Sequence, residues 1–178
     1  NFILFFSILS FVPSTGYGPW HTMYVGIGAY ENSYNIKLSD ESAYNYFENT
    51  TGQIMNSENV IDKPLHTEYY TVLKNRYFEI LSENPILVIK NAIFNVLSSY
   101  SFGYKTGNTK LIYLSIISGT IFMGLLLYTK QYLLFLSIGL AGASFTPYYP
   151  PIIAYMYGSY ILIVIGFIGV IDFFIRGK

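Results

Sequence analysis

Between residues 111 and 175 the chain carries three runs of aliphatic, aromatic and small residues separated by two short breaks, which restricts its fold more than any other feature. Residues 111–128 follow Lys110, contain no charge and stop at Thr129-Lys130-Gln131. As a helix rising about 1.5 Å per residue, such a run spans most of a ~30 Å hydrocarbon layer. Residues 132–145 are only about 14 long, a length equally suited to a re-entrant or bundle-buried segment. Extension through Thr146-Pro147-Tyr148-Tyr149 turns that run into a crossing, with the tyrosines at headgroup level. Residues 152–175 are long enough to cross with some tilt. The expected fold is therefore mainly α: a polytopic membrane helix bundle with spans at about 111–128, 132–149 and 152–175.

Composition agrees. Charged residues are 11% and apolar residues 52%, against about 25% and 45–50% in ordinary globular chains, so the shortfall lies in surface-forming residues. The 19 tyrosines and 14 phenylalanines suit interfacial belts and apolar packing. A formal charge of zero gives no basis for a nucleic-acid partner. Without cysteine there are no disulfides or thiolate sites, and the two histidines show no zinc spacing, so no metal site is expected. Gly26-Ile27-Gly28 lacks the third glycine of a nucleotide fingerprint, and no serine stands in a nucleophile elbow.

Residues 1–12 begin inside an apolar run that Pro13 ends, without the basic region and small-residue cleavage site of a signal peptide. They read as the end of a membrane helix, so the expectation is the C-terminal piece of a longer polytopic protein, partnered by its own upstream remainder. Residues 13–84 form a polar segment outside the bilayer. Within it, residues 13–35 mix Pro13, Pro19 and glycines 16, 18, 26 and 28, which favours turns and close backbone approaches over a long regular element. Ser39-Asp40-Glu41 reads as a helix start with acids at the positive end of the dipole, and Ala43, Tyr44 and Phe47 share one face. A further helix from Thr67 to about Glu83 sets Tyr69, Tyr70, Leu73, Tyr77, Ile80 and Leu81 against Glu68, Lys74, Asn75 and Glu79.

Asn84-Pro85 starts another helix, 85–101, in which Asn91, Asn95 and Ser98 form a narrow polar stripe bordered by Lys90. Charge placement favours an interfacial amphipathic helix: residues 13–110 then lie outside, Lys130 inside, 147–151 outside and the Arg176-Gly177-Lys178 tail inside. Small residues four apart, Ser115 with Gly119 and Gly139 with Ala143, permit close helix packing. Asp172 is the only acid in the spans, and Arg176 four residues on is placed to pair with it.

Each chemically capable residue has a plain structural reading beside a functional one. His21, beside Trp20, is a hydrogen-bonded structural residue or, given a neighbouring partner, a base. Asp40 and Glu41 cap a helix, or serve as general acid and base or ligands. Trp20 and Tyr24 are anchors or local core, or stacking surfaces for a sugar. Lys90 is a point charge able to meet a phosphate.

A resemblance narrows these options. Trp20-His21-Thr22-Met23-Tyr24-Val25-Gly26-Ile27-Gly28, followed by Tyr34-Asn35-Ile36 and Ser39-Asp40-Glu41-Ser42-Ala43, resembles a stretch of uncharacterised bacterial polytopic membrane proteins. Those are grouped loosely with the GT-C class of polyprenyl-phosphate-sugar glycosyltransferases. Glu83-Asn84-Pro85 opening an amphipathic helix, and the break at Tyr148-Tyr149-Pro150-Pro151, are similar to the C-terminal half of that class. The resemblance covers most of the chain. It implies an integral protein of the bacterial inner membrane, with residues 13–110 extracytoplasmic, that takes a sugar from a polyprenyl-phosphate-linked donor and has membrane lipid as a further partner. His21, Asp40 and Glu41 become the catalytic candidates and Trp20, Tyr24 and Lys90 the substrate-binding ones; no cofactor is assigned. The class's catalytic acids usually lie in an earlier loop, and Asn95 stands where it often has a basic residue, leaving Lys90 as the nearest cation. The alternative is a non-enzymatic membrane module, an envelope assembly subunit or a transporter part.

Overall fold

The computed structural model describes residues 19–55, 63–102, 108–143, 146–152 and 156–177, so the expected helix end at 1–12 lies outside the described residues. These form seven α-helices and a 3-10 turn, with no β-strand among them: α1 (Pro19–Gly26), the turn Ile27–Ala29, α2 (Asp40–Thr51), α3 (Lys63–Glu83), α4 (Pro85–Ser99), α5 (Thr109–Tyr128), α6 (Tyr132–Gly142) and α7 (Tyr157–Arg176). The mainly helical expectation holds. Of these helices, α5 and α7 are long and apolar enough to cross a membrane.

Helices α1, α2 and α3 make a small cap around Met23, Val25, Phe47, Tyr69, Leu73, Tyr77 and Ile80. The side division read from α3 is observed: Tyr69, Leu73, Tyr77 and Ile80 are buried while Glu68, Lys74, Asn75 and Glu79 are exposed. Ser39 occupies the N-cap position of α2 but makes no side-chain cap bond, and the helix stops at Gly52, whose φ of 75° suits a residue without Cβ. Helix α3 starts four residues before Thr67, at Lys63. Residues 19–29 are more regular than their glycines suggest, yet the close approaches expected there exist. A Cβ on Gly28 would meet the Lys37 backbone, so the intervening chain folds back on itself.

The chain turns by 101° between α3 and α4. The Asn84 side-chain oxygen accepts from the Leu87 amide at 3.1 Å, and Pro85 fills the first turn, where its missing N–H is no loss. Helix α4 is polar inward and apolar outward: Asn91, Asn95 and Ser98 are buried while Ile86, Ile89, Ile93 and Val96 are exposed. Its two ends sit in different cores, Leu87 in the cap and Tyr100, just beyond the helix, among Phe122, Leu126, Ile138, Ile163 and Val170. The Leu97 carbonyl lies against Gly119, about 15 Å along α5 at 1.5 Å per residue, so α4 ends beside the middle of α5 and not level with its start.

The other end of the molecule is a three-helix bundle. Asn108 caps α5 through its side-chain oxygen and the Leu111 amide. Ile112 packs on Ala29 and Tyr30 at the cap end, and Tyr128 meets Phe173 and Phe174 at the far end. Phe122 meets Phe167 and, six residues on, Tyr128 meets Phe173 and Phe174, so the two helices advance together from the cap end. Helices α5 and α7 therefore run in the same direction and α6 returns between them.

The expected 132–149 span is not one continuous helix. Helix α6 has 11 residues, about 16 Å, and both the amide and the hydroxyl of Thr146 bond the Gly142 carbonyl. A turn follows at 146–148, and the chain then presses on the cap, where Tyr148 and Tyr149 pack against its core. Of the two small-residue pairs, Ser115 and Gly119 are buried as expected, whereas Ala143 is exposed. Asp172 and Arg176 form the expected pair at 2.6 Å.

Candidate functional site

Three helices each contribute one side chain to a short polar chain in the cap. His21 of α1 lies with its Nδ1 2.5 Å from the Tyr69 hydroxyl of α3 and its Nε2 3.0 Å from Oδ1 of Asp40, the first residue of α2. A carboxylate only accepts, so Nε2 is the donor to Asp40, while Nδ1 pairs with the Tyr69 hydroxyl, which can donate or accept. Both ring nitrogens therefore face protein groups. Tyr69 is 1% exposed, whereas the Asp40 side chain is 72% exposed, so the chain runs from the cap core out to solvent and ends on a carboxylate.

Burial drives the phenol of Tyr69 to remain protonated: desolvation raises its pKa first, and nearby Tyr44, Tyr70, Asp40 and Tyr24 push the same way. Tyr24, in the same core, is pushed up to about 12 by burial and by Tyr46, against the opposing charge of Arg76.

Beside this chain lies a cleft of about 1000 Å³ between the cap and the start of α5. Glu31, Asn32, Asn35, Lys37, Ser39 and Glu41 supply its cap wall, and Asn108, Thr109, Ile112 and Tyr113 its other wall. The Asn32 side chain shapes it. Its amide donates to the carbonyls of Tyr30 and Ile36 at 3.1 and 2.9 Å, and its oxygen accepts from the amides of Tyr34 and Ile36 at 3.1 and 3.2 Å. Asn35 follows with φ 56°, a left-handed conformation that asparagine tolerates better than most residues. The cleft thus offers carboxylates, amides, hydroxyls and one lysine at the foot of an apolar helix.

The sequence candidates fall into three places. His21 and Asp40 are in direct contact, and Glu41 lines the adjoining cleft. Trp20 is half-buried on the other side of α1, 5.5 Å from Phe78 with the Lys74 ammonium 5.4 Å from its ring centroid, and Tyr24 is buried 5.4 Å from Tyr46; both serve the cap core. Lys90 is half-buried on α4, lines no part of the cleft and makes no hydrogen bond or ion pair among the described residues. Sequence reasoning missed Glu31, Asn32, Lys37 and Asn108. The signal available for the first two was the polar run Glu31-Asn32-Ser33-Tyr34-Asn35, whose fold-back depends on Gly28 meeting Lys37. No group of three or more His, Cys, Asp or Glu placed to hold a metal occurs among the described residues.

Behind the cleft, the α4 stripe carries three buried polar atoms with no hydrogen-bond partner: Oδ1 of Asn91, Nδ2 of Asn95 and Oγ of Ser98. The other halves of the two amides are used, Asn91 Nδ2 donating to the Ile27 carbonyl at 3.1 Å and Asn95 Oδ1 accepting from the Tyr30 hydroxyl at 2.9 Å. Left bare, each unpaired group costs about 1–3 kcal/mol, a set that rivals a whole domain's margin of about 5–15 kcal/mol.

Compared with known proteins, the chain matches no family description, no curated protein and no solved structure.

Proposed function

We propose that the chain is the C-terminal part of a GT-C-like membrane glycosyltransferase that takes a sugar from a polyprenyl-phosphate-linked donor at the extracytoplasmic face of a bacterial inner membrane. The observation that carries this reading is the juxtaposition of the cleft at the foot of α5, with Glu41 in its wall, and Asp40 beside it bonded to His21, which Tyr69 holds in turn. A sugar bound there meets carboxylates and amides, the groups that hydrogen-bond hydroxyls well.

In the proposed transfer an acceptor hydroxyl forms a new bond to the anomeric carbon while the bond from that carbon to the phosphate oxygen breaks. Polyprenyl phosphate leaves with the electron pair, and the hydroxyl proton passes to Asp40 or Glu41. His21 is a positioning residue here, because both its ring nitrogens already face protein groups. Lys37, in the cleft wall, takes the phosphate-contact role first assigned to Lys90. The cap and residues 146–152 lie together at the same ends of α5 and α7, with Lys130 and Arg176 at the other, which suits the positive-inside tendency with the cap outside.

The test is transfer from a labelled polyprenyl-phosphate sugar in membranes containing the full-length protein. Asp40→Asn with Glu41→Gln lowers transfer roughly a hundredfold or more, the scale of acid-base catalysis, with normal insertion. Unchanged transfer removes both acids from the reaction. The double occupation of His21 favours one second reading, a non-enzymatic module whose Tyr69–His21–Asp40 chain simply clasps α1, α2 and α3 together.

A further inference from the structure

We infer that the inward stripe of α4 is a hydration site: Asn91, Asn95 and Ser98 hold a row of ordered water molecules inside the fold, directly behind the cleft. The three free atoms are 5%, 0% and 0% exposed at the residue level, so bulk solvent does not serve them. Residues 91, 95 and 98 follow one face of the helix over about 10 Å, the length of a short file of waters.

The chemistry of the free atoms selects the guest. Asn91 offers an acceptor, because its nitrogen is committed to the Ile27 carbonyl, which can only accept. Asn95 offers a donor, because its oxygen takes the Tyr30 proton. Ser98 offers both. A cation is repelled by the Asn95 N–H and an anion by the Asn91 oxygen. A small species that both donates and accepts, as water does, fits all three. Interior waters of this kind typically bond two to four otherwise unpaired polar groups. Tyr30 links the row to the cleft, since it lines the cleft and its hydroxyl reaches Asn95.

This site also accounts for the inverted character of α4, whose outer face is isoleucine and valine and whose inner face is amide and hydroxyl. The polar stripe faces a wet interior, and the apolar face is turned outward.

The direct test is a structure of the full-length protein in a lipid disc at a resolution that shows water. Density within hydrogen-bonding distance of at least two of the three atoms is expected. An empty space, protein groups bonded to all three atoms, or an ion coordinated only by oxygens overturns the inference. A second test uses radiolytic hydroxyl-radical labelling, which oxidises side chains beside bound water even when they are buried. Tyr30 is expected to react several-fold faster than Tyr77, which is also buried but lies in the apolar cap core. Asn91→Leu, correctly inserted, removes that excess. Equal rates for Tyr30 and Tyr77 in the unaltered protein contradict the row.

Discussion

Gly26 and Tyr148 meet so closely that a Cβ on the glycine would stand 2.0 Å from the tyrosine carbonyl oxygen. That contact brings the segment between α6 and α7 onto α1 and ties the cap to the apolar bundle. Gly26→Ala requires a backbone shift at this joint and is expected to lower stability by about 2 kcal/mol, within the range of overpacked sites. Gly124→Ala is the control. Nothing lies within 4 Å of its added Cβ, so it is neutral or slightly stabilising through helix propensity. Thermal unfolding in detergent compares the two; equal melting points for Gly26→Ala and the parent contradict the joint.

Alkali should open the cap before acid chemistry explains it. Burial raises the phenols of both Tyr24 and Tyr77 from 10.0 to about 12. A raised folded-state pKa for an acid means that only the unfolded chain ionises between the two values. The stability held by these phenols is therefore complete below about pH 10 and declines as pH rises toward about 12. Cap unfolding followed by near-ultraviolet tyrosinate absorbance should steepen across that window, and Tyr77→Phe should flatten it. A stability independent of pH over the same range rules this out.

Asp40 and His21 separate structure from chemistry. Because the Asp40 side chain is 72% exposed, its pair with His21 belongs with surface pairs worth about 0–1 kcal/mol. Asp40→Asn should leave melting within about 1 kcal/mol of the parent while lowering sugar transfer. Tyr69→Phe leaves Nδ1 without its partner and is expected to lower both modestly, about 1 kcal/mol in stability. A large melting shift for Asp40→Asn with transfer intact would support the clasp reading instead.

Much of the architecture was legible because it follows from periodicity and apolar length. The α3 faces, the Asn84-Pro85 start of α4 and the two long apolar helices all depend on local pattern, and each is present. Helix α6 stops at Gly142, short of the expected 149, because of contacts that local pattern does not show. In the structure Thr146 closes on Gly142, and the following turn packs against Gly26, a partner about 120 residues earlier in the chain that no local pattern reveals. The site was half legible. His21 and Asp40 meet as their chemistry allowed, while Tyr24 lies in the cap core and Trp20 packs against it. The cleft depends on the fold-back at Gly28 and Asn32, and its outer wall on Asn108 capping α5, none of which periodicity encodes.

The account rests on the cap and the α5–α6 turn lying on opposite sides of a bilayer. The chain has no cysteine, so Glu48→Cys in the cap and Lys130→Cys after α5 each introduce a single reactive thiol. With an impermeant maleimide and sealed vesicles of known orientation, Glu48→Cys should react only from the extracytoplasmic face and Lys130→Cys only from the cytoplasmic face. Labelling of both from one face, or a protein that stays dissolved without detergent, would contradict the membrane arrangement and the sugar chemistry built on it.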